Sequence, residues 1–198
     1  MHLIVITRPD FFPEEVPLVC RLFEAGLERL HLRKPDASRE TLAAWLDAVP
    51  QQWRCRIVLH DHHDLALQYG LGGIHLNRRH TTVPDAMDPK HFTLSRSCHS
   101  LQEIRQHKAA CDYLLLSPIF DSISKQGYAA AFSPEELAEA KQEGLLYNNV
   151  YALGGVSFER LREVKEMGFG GAAMLGAVWD DPDGAILQLR AWATRSGR

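Results

Sequence analysis

The sequence predicts an α/β protein, a single (β/α)8 barrel of the TIM type over residues 1–198, from three observations. Short apolar runs alternate with helical patterns down the whole chain, which favours a parallel sheet. Eight such units in 198 residues average about 25 each, near the ~200-residue floor of a closed barrel. One layout recurs: a glycine at a helix end, an apolar residue, then a strand, at Gly26, Gly70 and Gly168. An open doubly wound sheet is the competing arrangement. Its glycine fingerprint is missing, because Thr7-Arg8-Pro9-Asp10 follows the first apolar run.

The elements follow in order. Leu3–Thr7 reads as the first strand, being apolar and β-branched. Pro13–Ala25 is helical, with Val16, Val19, Cys20, Leu22 and Phe23 mostly on one face. Arg29–Arg33 is the second strand. Ser38 is an N-cap, followed at helical spacing by Leu42, Trp45, Leu46 and Val49. Ile57–His60 is the third strand, after which His62, His63 and Asp64 open a helix, with Asp64 near its positive end. Gly73–Leu76, Phe92–Ser95 and Tyr113–Ser117 are strands four to six. Ser133-Pro134-Glu135-Glu136 has the form of a capping box with proline in the first turn. Val150–Leu153 is strand seven. Ser157 caps a helix carrying Leu161, Val164 and Met167, and Ala172–Leu175 closes the set.

Composition excludes several classes of function. Hydrophobic residues at 45% rule out disorder as the main state. A formal charge of -3 lacks the basic field that nucleic acid or an anionic membrane requires. Cys20, Cys55, Cys98 and Cys111 share no short spacing, so they read as free thiols of a reducing compartment. The apolar run Leu3–Ile6 is too short for a signal peptide or a membrane span, and the expected location is the cytoplasm.

In a barrel the chemistry sits where strands end. Seven of the ten histidines fall in those stretches: His31, His60, His62, His63, His75, His80 and His99. Arg33 shares a strand face with His31 and points to the mouth. Asp61 is the candidate ligand for a hard cation such as Mg2+. Ser122, Ser124 and Lys125 form a hydroxyl-rich loop suited to phosphate or pyrophosphate. Gly154, Gly155 and Gly176 allow backbone amides to approach a phosphate. Ser97 and His99 follow strand five beside Arg96.

These residues resemble the thiamine phosphate synthase and thiazole tautomerase superfamily from Leu3 to about Val178. His31-Leu32-Arg33-Lys34-Pro35 resembles its Q-L-R-x-K element, and His60-Asp61-His62-His63-Asp64-Leu65-Ala66-Leu67 its N-D-x-x-D-L-A-L element. Gly72–Leu76 resembles D-G-V-H-L, and Ser97-Cys98-His99-Ser100 resembles S-x-H-(S/T). Ser117–Lys125 resembles G-P-I-F-x-T-x-T-K, and Ala152–Val156 resembles A-I-G-G-I.

The resemblance implies an enzyme that joins hydroxymethylpyrimidine pyrophosphate to thiazole phosphate as pyrophosphate leaves. It implies roles for Arg33 and Lys125 in the chemistry and substrate contacts from Ser97, Ser122, Ser124, Gly155, Leu175 and Gly176. His99 is a further catalytic candidate, and His31, Lys34, His60 and Gly154 are further candidate substrate contacts from their places at the strand ends. Asp61 would hold Mg2+. Small phosphorylated pyrimidine and thiazole molecules are the expected partners, and a homodimer is compatible with the fold. One stretch departs from the pattern: Asn77-Arg78-Arg79-His80 stands where the family carries a second metal-binding Asp. Arg78 and Arg79 are therefore expected to meet the pyrophosphate themselves. Two alternatives stay open. A tautomerase would use His31 or His99 as its base, because Pro118 stands where that branch has its histidine. A non-catalytic binder of thiazole or thiamine phosphate is the other.

Overall fold

Eight parallel strands pair in sequence order, and the last closes on the first, β1-β2-β3-β4-β5-β6-β7-β8. They are β1 His2–Ile6, β2 Arg29–Leu32, β3 Ile57–Leu59, β4 Gly73–Leu76, β5 Thr93–Cys98, β6 Tyr113–Leu116, β7 Val150–Leu153 and β8 Gly171–Met174. This computed structural model describes residues 1–121 and 130–195. Closure runs through Leu3 opposite Ala172 and Val5 opposite Met174.

The helices are α1 Glu15–Glu24, α2 Arg39–Ala48, α3 Gln51–Arg54, α4 Asp64–Tyr69, α5 Leu101–His107, α6 Pro134–Gln142, α7 Leu161–Glu166, α8 Gly176–Trp179 and α9 Pro182–Arg195. Helices follow every strand but β4, after which only a 3-10 turn at Pro89–His91 precedes β5, and α8 and α9 come after β8. The expected capping holds at two starts. Ser38 accepts from the Thr41 amide. Ser133 and Glu136 satisfy each other's backbone in a complete capping box. Ser157 differs: its side chain caps nothing, and a 3-10 turn at Phe158–Arg160 precedes α7. Gly26, Gly70 and Gly168 all have positive φ after their helices, the left-handed conformation that stops a helix. The patterning did not single out α9. It buries Ala185, Ile186 and Leu189, and Arg21 of α1 reaches its first turn at Asp183 over 2.6 Å.

Strand alternation sorts the side chains into two cores. Leu3, Val5, Leu30, Leu32, Ile57, Leu59 and Ile74 face outward to the helices in one large cluster. Ile4, Ile6, Tyr113, Leu115, Tyr151 and Ala173 face inward. The inward set comes from β1, β6, β7 and β8. The inward positions of β2 to β5 carry His31, Ser95 and His75, all buried, with His60 immediately after β3. The barrel interior is thus apolar on one side and hydrogen-bonding on the other. Strand β5 is longer than its apolar pattern, because polar Arg96 and Ser97 pair with Leu114 and Leu115 and continue the ladder.

Candidate active site

The polar side of the interior opens upward into a cavity of about 420 Å3 at the C-terminal rim of the strands. Arg33, Arg78, Arg79 and Arg96 line it together with His60, Asn77, Ser97 and His99. Ile6, Leu115 and Leu153 supply its apolar side. Glu103 is the one carboxylate among the lining residues, and its oxygen is turned back to accept the His99 amide at 2.5 Å. The cavity is therefore strongly cationic within a chain of mildly negative charge. Such a wall concentrates anions, and guanidinium forks match phosphate oxygens.

The loop after β4 is built, rather than loose. Asn77 Oδ1 accepts the amides of Arg79 at 2.8 Å and His80 at 3.1 Å. Its Nδ2 donates to the His60 carbonyl at 3.2 Å. This turn aims Arg79 at Asp61: Nη2 and Nε donate to Oδ1 at 2.7 and 3.2 Å. His80 Nε2 stands 3.3 Å from the same oxygen. Asp61 Oδ2 is buried and has no hydrogen-bond partner among the described residues, and the same holds for His63 Nε2. Arg96 closes the other side of the loop by donating to the Thr81 carbonyl at 3.0 Å.

Beneath the cavity floor lies a histidine cluster. His31 Nδ1 is 2.9 Å from His60 Nε2, and His31 Nε2 is 2.6 Å from the Tyr113 hydroxyl. His60 stacks on His75 with centroids 4.1 Å apart. His75 meets Ser95 Oγ at 2.8 Å and Ser97 Oγ at 2.7 Å. Burial disfavours the imidazolium, so His31 and His60 are held well below the ordinary histidine range. Burial, with Arg96 and Arg33 nearby, takes His75 down to about 3. All three rings are neutral at pH 7.

The sequence-expected residues divide into groups. Arg33, His60, Arg78, Arg79, Ser97 and His99 meet at the cavity. His31 does not line it, since it is fully buried below His60. Asp61 stands behind Arg79 rather than among the lining residues. Lys34 is not among the lining residues. Its ammonium is buried against Glu15 Oε1 at 2.7 Å and the Asp10 carbonyl at 2.6 Å, a structural ion pair in the helix layer. Trp45 Nε1 completes that network on Glu15 at 2.9 Å. The cause is alternation: Arg33 points inward, so its neighbour points out into the helix layer.

Gly154 and Gly155 have positive φ. A Cβ on Gly155 would stand 2.3 Å from the Asp121 carbonyl, and one on Gly154 would stand 2.8 Å from Pro118. Their bareness serves the packing of the loop after β6 onto the end of β7. Leu175 and Gly176 lead into the short helix α8. None of these four lines the cavity. Ser122, Ser124 and Lys125 lie outside the described residues. Tyr113 and Ser95 are the members that residue-by-residue reading missed, and strand alternation places both. Asn77 is legible at the strand end, but its role depends on the turn it forms.

Comparison with known proteins gives a consistent result. A family model described as thiamine monophosphate synthase matches residues 3–178. The thiamine-phosphate synthase of Cronobacter sakazakii is 33% identical over 176 residues, 86% of this chain and 83% of that protein. That of Syntrophomonas wolfei is 30% identical over 180 residues, 87% and 85% of the two chains. A crystal structure described as thiamine phosphate pyrophosphorylase from Bacteroides thetaiotaomicron superposes with a TM-score of 0.85. It is 37% identical and covers 96% of this chain and 94% of its own. A second, from Pyrococcus furiosus, has a TM-score of 0.75 at 23% identity and covers 98% and 96%, which speaks to the fold alone.

Proposed function

The chain belongs to the thiamine monophosphate synthase family, and from that premise we propose that its cavity joins a pyrimidine pyrophosphate to a thiazole phosphate in thiamine biosynthesis. The observation that carries this reading is that four arginines line one cavity. In the proposed reaction the bond between the pyrimidine methylene carbon and the pyrophosphate oxygen breaks. The electron pair leaves with pyrophosphate. The ring nitrogen of the thiazole then donates its lone pair to the methylene carbon, and the new C–N bond completes thiamine phosphate. No oxidant is needed. Two demands fall on the protein: holding the fragments in line, and stabilising the charge that gathers on the leaving group.

Arg33, Arg78, Arg79 and Arg96 meet the second demand. Charge-assisted guanidinium–phosphate hydrogen bonds are roughly twice as strong as neutral ones. Ile6, Leu115 and Leu153 give the flat pyrimidine an apolar seat. Neutral His60 and Ser97 offer it hydrogen bonds without adding charge beside a developing carbocation. His99 sits at the rim, its Nδ1 3.2 Å from the Ser117 carbonyl, and is assigned to orienting the incoming substrate. The thiazole phosphate is assigned to Ser122, Ser124 and Lys125, with the backbone of Gly154, Gly155, Leu175 and Gly176.

The fit to Mg2+ is a single atom. Asp61 Oδ2 is buried without a partner among the described residues, and a cation would satisfy it. Oδ1 is already held by Arg79 and His80. When bound through Asp61, Mg2+ would supply additional charge neutralisation to pyrophosphate, with substrate oxygens as its other ligands. The arginines supply the larger share.

The tautomerase alternative keeps His99 alone as a base at the cavity: Pro118 cannot carry a proton, and His31 is buried beneath the floor. The deciding measurement is incubation with both substrates and Mg2+, assayed for thiamine phosphate and released pyrophosphate. Equimolar formation of both is expected. Substrate binding without product at high protein concentration would reduce the chain to a binder and overturn the synthase assignment.

A further inference from the structure

Catalysis at the mouth draws on His60 alone of the histidine cluster just below it. His31, His60 and His75 come from β2, the residue after β3, and β4, and each brings a ring nitrogen within 4.8 Å of the others. We propose that these three imidazoles form a site for a borderline divalent transition ion of the zinc type, with its open position toward the cavity.

Distances, second-shell partners, donor type and access each support it. In a tetrahedral site with metal–nitrogen bonds of about 2.0–2.1 Å, ligand nitrogens stand roughly 3.3 Å apart. His31 Nδ1 and His60 Nε2 are already 2.9 Å apart as a hydrogen-bonded pair. His75 lies stacked on His60, with ring planes 23° apart, and would turn out of that stack to aim a nitrogen at the same ion.

A ligating histidine normally gives its other N–H to a fixed partner, which sets the ring's orientation. Those partners are in place for His31 and His75. His31 Nε2 has the Tyr113 hydroxyl at 2.6 Å. His75 has a serine hydroxyl at each nitrogen, Ser95 and Ser97, so one remains whichever nitrogen turns to the ion.

The donors are all imidazole nitrogens, with no carboxylate in the cluster. That set suits zinc, nickel or copper and not Mg2+ or Ca2+. Burial already keeps the rings in the neutral form that ligates. Access exists through the cavity, which His60 lines. The site is separate from Asp61, which takes Arg79 and His80 as its partners. The inference does not depend on the synthase assignment.

The test uses the full chain after stripping with a chelator. Co2+ is titrated while the visible ligand-field absorption of nitrogen-bound cobalt is followed. Zn2+ binding is measured by calorimetry and by the shift in the thermal midpoint. One equivalent is expected for each ion, with a raised midpoint. His31→Gln and His75→Gln should each weaken binding at least about tenfold, and Tyr113→Phe should weaken it by about tenfold through the lost hydroxyl. His91→Gln, on the surface, should leave binding unchanged. Should the histidine variants not fold, the cobalt spectrum and the zinc-dependent midpoint of the unsubstituted chain decide. Absence of the cobalt band, or equal affinity in the folded variants, would overturn the site and leave the cluster as a hydrogen-bonded core network.

Discussion

Asp61 shows how a neighbouring side chain can claim a buried carboxylate. Its Oδ1 is bound by Arg79 at 2.7 Å, so a permanent guanidinium charge stands beside it. Arg79 and Arg78 then extend that charge into the cavity. Arg79→Ala should lower kcat by about 10²-fold, the usual cost of losing one preorganised charge-stabilising donor. The variant should also recover part of its rate as Mg2+ is raised, because Asp61 Oδ1 would then have lost its guanidinium partner and kept only His80. A steady-state Mg2+ titration of both proteins checks this. An unchanged kcat would remove Arg79 from the reaction. The buried Lys34–Glu15 pair gives the opposite lesson: a lysine inside a family-like motif can be taken over by the helix layer.

At the scale of elements, packing of the outer helices decides where glycine is required. Gly26 has φ +101, and a Cβ there would stand 2.9 Å from the Ala193 Cβ of α9. Gly26→Val therefore meets both a strained backbone and a steric clash with the final helix. A loss of about 1–3 kcal/mol is expected, read as a lower denaturation midpoint at unchanged slope. Equal stability would mean that α9 is not seated on the turn after α1. The neighbouring element, the turn at Asn77–His80, is organised by a single side-chain oxygen. No periodicity announces such a turn, and its composition alone reads as an exposed basic loop. Strand β5 was underestimated for a related reason: Arg96 and Ser97 are polar, yet ladder pairing to β4 and β6 keeps them in the sheet.

Across the whole molecule, the interior is polarised from one side of the barrel to the other. The polar side carries three buried histidines that are neutral at pH 7. Their folded values lie below the ordinary value near 6.5, so the unfolded chain binds more protons than the native one once pH falls below that value. The stability they contribute is complete above about pH 6.5 and is lost progressively as pH falls toward the folded values, about 3 for His75. Denaturant unfolding of the metal-free protein at pH 7 and pH 5.5 should show a marked drop, smaller in His75→Gln. A flat profile would mean that the rings are charged, or reached by water, in the folded state.

By itself the sequence determined the repeating units, the caps at Ser38 and Ser133, the helix-ending glycines and six residues of the cavity wall. These follow from local rules: apolar alternation, orphan amides at helix starts, left-handed φ after helices, and placement at strand ends. Only the tertiary structure decided which partner each polar group takes. It gave Lys34 to Glu15, Asp61 to Arg79, His31 to Tyr113, and the bareness of Gly155 to the loop after β6. Those choices depend on atoms a long way apart in the chain, and strand alternation with barrel closure sets which of them meet.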